Sequence, residues 1–273
     1  MPNIAMSWDW SGESMVVYSF YDEKSGVKEA LDDHVRLALD KLSNLGSSRL
    51  MRLESRDKGS FNRALSLAVI LHDVGKAFFQ RRNREGRMTF WGHELISAYV
   101  TNATFVNLSR GSPSHAMLCW RTPVAFSVLY HHHAMGRDLE QWGRKYPQFY
   151  GRWYEKRKSF LVETVKVVED HLRESGLGFL IDPAIQVLES LSDIESPGDF
   201  VRKIVVGVND LKNNIWKRFT FGSGDHIARE RSLAMLSALI TVDYLASNEK
   251  RGGGTRFLGV LKEFHSLYLQ GAP

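Results

Sequence analysis

Residues 61–76 read FNRALSLAVILHDVGK. From Phe61 to Leu71 apolar side chains fall on every side rather than in one stripe, which predicts a helix buried all round. That buried helix runs directly into His72-Asp73, with Gly75 able to close it in the left-handed conformation. An ionisable pair at the end of a buried helix is costly unless it is neutralised or bound to something. The plain alternative is a capped helix end with a solvated pair. The apolar run before it and the Gly75-Lys76 that follows make the segment the place to build from.

On either side the pattern is helical. Val27, Leu31, Val35, Leu39 and Leu42 recur at helix spacing and predict a helix over 27–45, opened after Ser25 and closed by Gly46. Residues 92–101 begin another. Thr122-Pro123 reads as an N-cap with proline at the first helical position, opening PVAFSVLYHHH. Residues 158–174 give an amphipathic helix stopping near Gly176, and Asp225 caps a long one through SLAMLSALITVDYLASNE. Near the start, MVVYSFY reads as a short strand. No repeat or low-complexity segment interrupts the chain, and Gly252-Gly253-Gly254 is the nearest thing to a linker. The expectation is an all-α fold, one domain over 1–273, with a short N-terminal β-hairpin.

The chain has 273 residues, 43% hydrophobic and 25% charged, which excludes disorder as its main state. Cys119 is the one cysteine, which excludes a disulfide scaffold and fits a reducing compartment. No run approaches the roughly 18 apolar residues of a membrane span. The opening MPNIAMSWDW lacks the basic and apolar regions of a secretory signal, so the expected location is cytoplasmic, with no membrane partner. The net charge of +5 and pI near 9.2 tilt the protein towards anionic partners.

The ten histidines are not scattered evenly. His34 lies on the apolar stripe of its helix, where a lone histidine is ordinarily a satisfied core residue. Asp243 interrupts LSALITVDYLAS, where a carboxylate needs a cation or a strong donor. His131-His132-His133 ends an apolar helix, and successive helix positions are about 100° apart, so only two can turn inward together. A cationic helix end is the simple reading of that triplet. His93 opens a helix, where an imidazolium is disfavoured and a neutral imidazole is a candidate ligand. His34, His72, Asp73, His93, two of the triplet and Asp243 come from five helices. Imidazole and carboxylate ligands together suit Mn, Fe, Co, Ni or Zn. Seven ligands are too many for one ion and suit two, with Asp73 shared. Ions about 3.5–4 Å apart are the usual apparatus of phosphate-ester hydrolysis.

This order of residues, His34, then HDVGK at 72–76, GHE with His93, YHHHA, and VDYLAS with Asp243, resembles the HD superfamily of metal-dependent phosphohydrolases. Within it the chain is similar to the HD nuclease of type I CRISPR interference, in the tandem histidine and in Ser247 four residues after Asp243. The likeness spans about residue 30 to 250, with unmatched loops between motifs. It implies a two-metal nuclease, acting mainly on single-stranded DNA, with two divalent ions drawn from Mn, Ni, Co, Fe or Mg. His34, His72, Asp73 and Asp243 would hold one ion, and Asp73, His93 and two triplet histidines the other. His132 and His133 are preferred because a small residue, Ala134, follows them; His131 with His132 stays open. Asp73 and Lys76 are the implied catalytic residues, Lys76 through contact with the phosphate. The chain carries no G-x-x-x-x-G-K-[ST] motif, so the resemblance is to the free-standing form. Its implied partners are a separate superfamily 2 helicase and an RNA-guided CRISPR surveillance complex.

Two segments suit nucleic acid. Residues 137–158, RDLEQWGRKYPQFYGRWYEKRK, carry a charge of +4 interleaved with aromatics, including Trp142, Tyr146 and Trp153. Basic groups there (Arg137, Arg144, Lys145) would track phosphates while rings stack on unpaired bases. An insertion folding on its own aromatics is the competing reading. Arg81 and Arg82 open a +3 run through Arg87, which also reads as a solvated loop. Two rival functions remain: an HD phosphohydrolase acting on nucleotides or small phosphate esters, and a non-catalytic HD module.

Overall fold

The computed structural model describes residues 16–42, 59–80, 82–112, 115–132, 139–154, 156–220, 225–251 and 256–266. An antiparallel hairpin of β1 (Tyr18–Asp22) and β2 (Val27–Ala30) leads straight into α1 (Leu31–Leu42). Nine further helices follow among the described residues: α2 (Ser60–Leu71), α3 (His93–Gly111), α4 (Arg121–Tyr130), α5 (Leu139–Tyr154), α6 (Arg157–Glu174), α7 (Ile181–Ser192), α8 (Pro197–Thr220), α9 (His226–Arg251) and α10 (Arg256–Phe264). The expected all-α fold with a short N-terminal hairpin is present. No helix among the described residues is long and apolar enough to cross a membrane.

α2 is the axis of the molecule. Eight of its residues, from Phe61 to Leu71, are buried, and it packs against α1, α3, α4, α6 and α9. Each neighbour turns an apolar stripe inward. In α1 the stripe is Leu31, Val35, Ala38 and Leu42, with His34 inside it. The stripes merge into one buried cluster running from Val17 to Ala246.

Three local readings are corrected. The helix expected over 27–45 begins only at Leu31. Val27–Ala30 pairs with β1, Phe20 opposite Glu29, because the turn at 23–26 sends the chain back on itself. Val27 and Leu31 keep helix spacing across that junction, which sequence periodicity cannot distinguish from a continuous helix. Gly75 does not end α2 in a left-handed conformation; it lies inside a 3-10 turn, Val74–Phe79. Its missing side chain serves packing instead, since a Cβ there would stand 2.1 Å from the carbonyl oxygen of His93. α4 starts at Arg121 rather than after Thr122, because the 3-10 turn Ala116–Trp120 runs directly into it. Pro123 still falls in the first turn, where its missing N–H breaks no helix bond. Asp225 does cap α9, accepting from the Ala228 N–H at 2.9 Å. Gly46 and Gly252–Gly254 lie outside the described residues.

Candidate metal centre

α2 and four helices around it deliver side chains to one buried volume. α2 ends at His72, whose N–H still bonds to Ala68, and Asp73 follows before the 3-10 turn. α1 brings His34, α9 brings Asp243, the start of α3 brings His93, and the end of α4 brings His131 and His132. Gly92 makes the entry of His93 possible: its φ of 85° turns the chain into α3 with Trp142 against its α-carbon. His34, His72, Asp73, His93, His131 and Asp243 are all buried, and His132 is half-buried.

The donors fall into two groups that share Asp73. In the first, ligand atoms of His34, His72, Asp73 and Asp243 lie within 4.8 Å of one another. In the second, those of Asp73, His93, His131 and His132 do the same. The two oxygens of Asp73 face different groups. Oδ1 is 3.0 Å from His93 Nε2, while Oδ2 is 3.4 Å from His72 Nε2 and 3.5 Å from His34 Nε2. Asp243 Oδ1 is 3.1 Å from His34 Nε2 and 3.8 Å from His72 Nε2.

The far side of each ring fixes which nitrogen faces inward. His72 donates through Nδ1 to the Val69 carbonyl at 2.7 Å, His93 to that of Phe90 at 2.6 Å, and His131 to that of Val128 at 2.7 Å. A carbonyl only accepts, so the proton of each ring sits on Nδ1 and the Nε2 lone pair points into the cluster. His34 turns Nδ1 instead to the Glu29 carboxylate, at 3.1 Å. The Nε2 atoms of all four rings and Oδ1 of Asp73 are buried without a hydrogen bond. Among His72, His93, His131 and Asp73, lone pairs therefore face lone pairs at contact distance, which is unfavourable unless a cation stands among them. Two donors about 2.1 Å from one ion, at a right angle, stand about 3 Å apart. The spacing and chemistry of the set fit a metal ion, and these residues could hold one.

No protein-family model, curated protein or solved structure matches this chain.

The charge state agrees with the geometry. Burial alone would raise the carboxyl of Asp73, but His72, Lys76 and His93 outweigh it and hold it well below the usual range. Asp243 is held down in the same way by His34 and His72. His34 is pushed down by burial, yet Asp243, Glu29 and Asp73 raise it to about 9. In the second group burial and neighbouring imidazoles push His131 well down and His132 to about 3. Lys76 is buried, with Nζ 2.5 Å from Asp73 Oδ2 and 5.3 Å over the Phe90 ring.

Among the triplet, His131 and His132, the alternative left open, both stand in the second group. His131 sits on the inner face of the last turn of α4, where the Val128 carbonyl orients it; His133 lies outside the described residues. Ser247 points its hydroxyl at Asp243 Oδ1 from 3.5 Å. Sequence reading missed Glu29, Ser19 and Arg251. Glu29 lay in a stretch read as helix, and Arg251 is 222 residues away, so no local signal marks them.

The nucleic-acid candidates divide. Trp142 and Tyr146 are fully buried, Tyr146 against Phe79 and Phe200 and Trp142 against Tyr146, so they belong to the core and offer no face to a base. Arg82 is committed to the hairpin, over the Tyr21 ring at 4.3 Å and 3.7 Å from Glu23. Arg144 is exposed and pairs with Glu140 at 2.9 Å. Lys145 is exposed, its Nζ 5.8 Å over the ring of Trp91, next to the Gly92-His93 corner. Arg81, Arg137 and the side chain of Trp153 lie outside the described residues.

Proposed function

We propose that this chain is a metal-dependent phosphodiester hydrolase, a nuclease acting mainly on single-stranded DNA, with two divalent ions held by the two groups. The observation that carries the reading is the orientation of Asp73, one carboxylate oxygen to each group. Paired divalent ions supply water activation and charge stabilisation on phosphate oxygens. The chain's own residues do the rest. Asp73 fixes the separation of the two groups. The Val69, Phe90 and Val128 carbonyls and Glu29 hold the four imidazoles with Nε2 inward, so no reorganisation is needed at the moment of reaction. Lys76, ion-paired to Asp73, supports the reading as a positive charge placed to meet a phosphate oxygen. Lys145 and Trp91, beside His93, offer a cation and a ring where a single strand would leave the centre.

The resemblance extends the proposal to two partners, a separate superfamily 2 helicase and an RNA-guided CRISPR surveillance complex. The depth of the cluster, whose donors other than His132 are buried, favours one second reading: hydrolysis of nucleotides or small phosphate esters by the same residues. The test adds Mn²⁺, Ni²⁺, Co²⁺, Mg²⁺ or Zn²⁺ separately to metal-stripped protein, with labelled single-stranded DNA or free nucleotides, beside the Asp73→Ala variant. Metal-dependent cutting of DNA, lost in the variant, is expected. Turnover of nucleotides with intact DNA would replace the nuclease by the second reading. No turnover and no bound metal would leave a non-catalytic module.

A further inference from the structure

The carboxylate of Glu29 has no solvent exposure and is saturated with donors. It takes Nδ1–H of His34 at 3.1 Å on Oε1. On Oε2 it takes the Ser19 hydroxyl at 3.1 Å and the Arg251 guanidinium twice, from Nε at 2.9 Å and Nη2 at 2.6 Å. Arg251, the last residue of α9, also lies over the Phe20 ring at 4.4 Å and bonds to Ser19. One buried anion thus ties β1, β2 and the end of α9 to the imidazole that enters the metal cluster from α1. The other inward imidazoles with a resolved anchor use a neutral carbonyl three residues upstream. His34 alone among these four hydrogen-bonds to a carboxylate; His93 Nδ1, which donates to Phe90, also has the buried Glu94 carboxylate 3.5 Å away.

Resting on the metal-centre reading above, we infer that Glu29 is a positioning residue for the ion of the His34 group, with Arg251 as its counter-charge. The carboxylate fixes the proton of His34 on Nδ1, aims Nε2 at Asp73 and Asp243, and increases the basicity of that nitrogen. A carboxylate or carbonyl behind a ligating histidine is worth about 10- to 100-fold in metal affinity. Arg251 keeps the buried carboxylate ionised, since an unpaired buried charge is costly. The effect is specific to one ion, because Glu29 touches none of His93, His131 or His132. It also gives the hairpin and the C-terminal end of α9 a function beyond packing: Ser19, Phe20 and Glu29 of the hairpin all meet Arg251 around this carboxylate.

The test is a double-mutant cycle on the full chain, read as Mn²⁺ affinity by equilibrium dialysis of metal-stripped protein. Glu29→Gln is expected to weaken one of two bound ions about tenfold. In a His93→Ala background, where the His34 group alone remains, the same loss is expected; in a His34→Ala background Glu29→Gln is expected to change nothing further. Glu29→Met/Arg251→Met removes the buried carboxylate together with its counter-charge, which keeps the fold without leaving a lone ion. It is expected to melt near the wild-type temperature when metal-free and to weaken the same ion by 10- to 100-fold. Equal weakening of both ions, or wild-type affinity in both Glu29 variants, overturns the positioning role. Wild-type protein that binds no Mn²⁺, or whose binding is unchanged by His34→Ala, overturns the metal-centre reading itself.

Discussion

The two halves of the cluster reach the same goal by different means. The His34 half joins two imidazoles to two carboxylates, and its His34 ring is backed by the Glu29 carboxylate, itself held by Arg251 from the opposite end of the chain. The His93 half joins three imidazoles to the one shared carboxylate, and its anchored rings lean on carbonyls of their own helix ends. Charge separates them further. The first half draws a proton onto His34, raised to about 9, whereas the second repels one, with His132 down at about 3. A site with an excess of negative charge attracts a dication more strongly than one made of neutral rings. On the proposed two-ion reading, the first half is expected to be the tighter site and the second, with half-buried His132, the more exchangeable one.

The substitution that abolishes the contrast is Asp73→Ala, since both halves lose a ligand. Loss of both ions and of all cleavage is expected, measured by dialysis and by cutting of labelled DNA. Asp73 also partners buried Lys76, so metal-free stability is expected to fall by about 3–5 kcal/mol in denaturant unfolding. Splitting the halves comes next. Asp243→Ala should remove the tighter ion and His93→Ala the weaker one, each lowering the cleavage rate on the order of 10²-fold. If both variants lose the same ion, the two groups are one site.

Gly75→Ala probes the seam between the halves, because it pushes a methyl group into the His93 carbonyl at 2.1 Å. Backbone cannot yield as a side-chain tip does, so a loss of about 3 kcal/mol is expected from urea unfolding. Metal binding by the His93 half should fall while the other half is spared.

Acidity sharpens the contrast more gently. The proton on His34 must leave before Nε2 can bind a cation, so affinity of the first half should rise about tenfold per pH unit towards about 9 and then level. The second half, whose His132 holds no proton above about 3, should show no such climb from this ring. In metal-free protein the sign reverses: stability from the raised His34 is full below about 6.5 and is lost as pH rises through about 9. Calorimetric titration at several pH values and metal-free melts check both. The smallest effect is Lys145→Ala, expected to weaken single-stranded DNA binding by a few-fold in a fluorescence titration, without touching either ion.

The sequence by itself determined the helical class and the buried axis α2, because a helix apolar on every side has one place to go. It also determined the site's principal donors: histidine and aspartate inside apolar stripes are physically conspicuous, as at His34, His72-Asp73 and Asp243. Other features were decided only by tertiary structure. Helix spacing across Ser25–Leu42 reads the same whether residues 27–30 extend the helix or turn back as a strand, and the pairing with β1 settled it. The aromatic run 142–146 reads equally as a stacking platform or as core, and packing of Tyr146 on Phe79 and Phe200, with Trp142 against Tyr146, made it core. That His131 turns inward depended on the end of α4 against its neighbours, where its ring meets those of His72 and His93. The Glu29–Arg251 bond joins positions 222 residues apart, and no local pattern can announce a partner that only the folded chain brings within 3 Å.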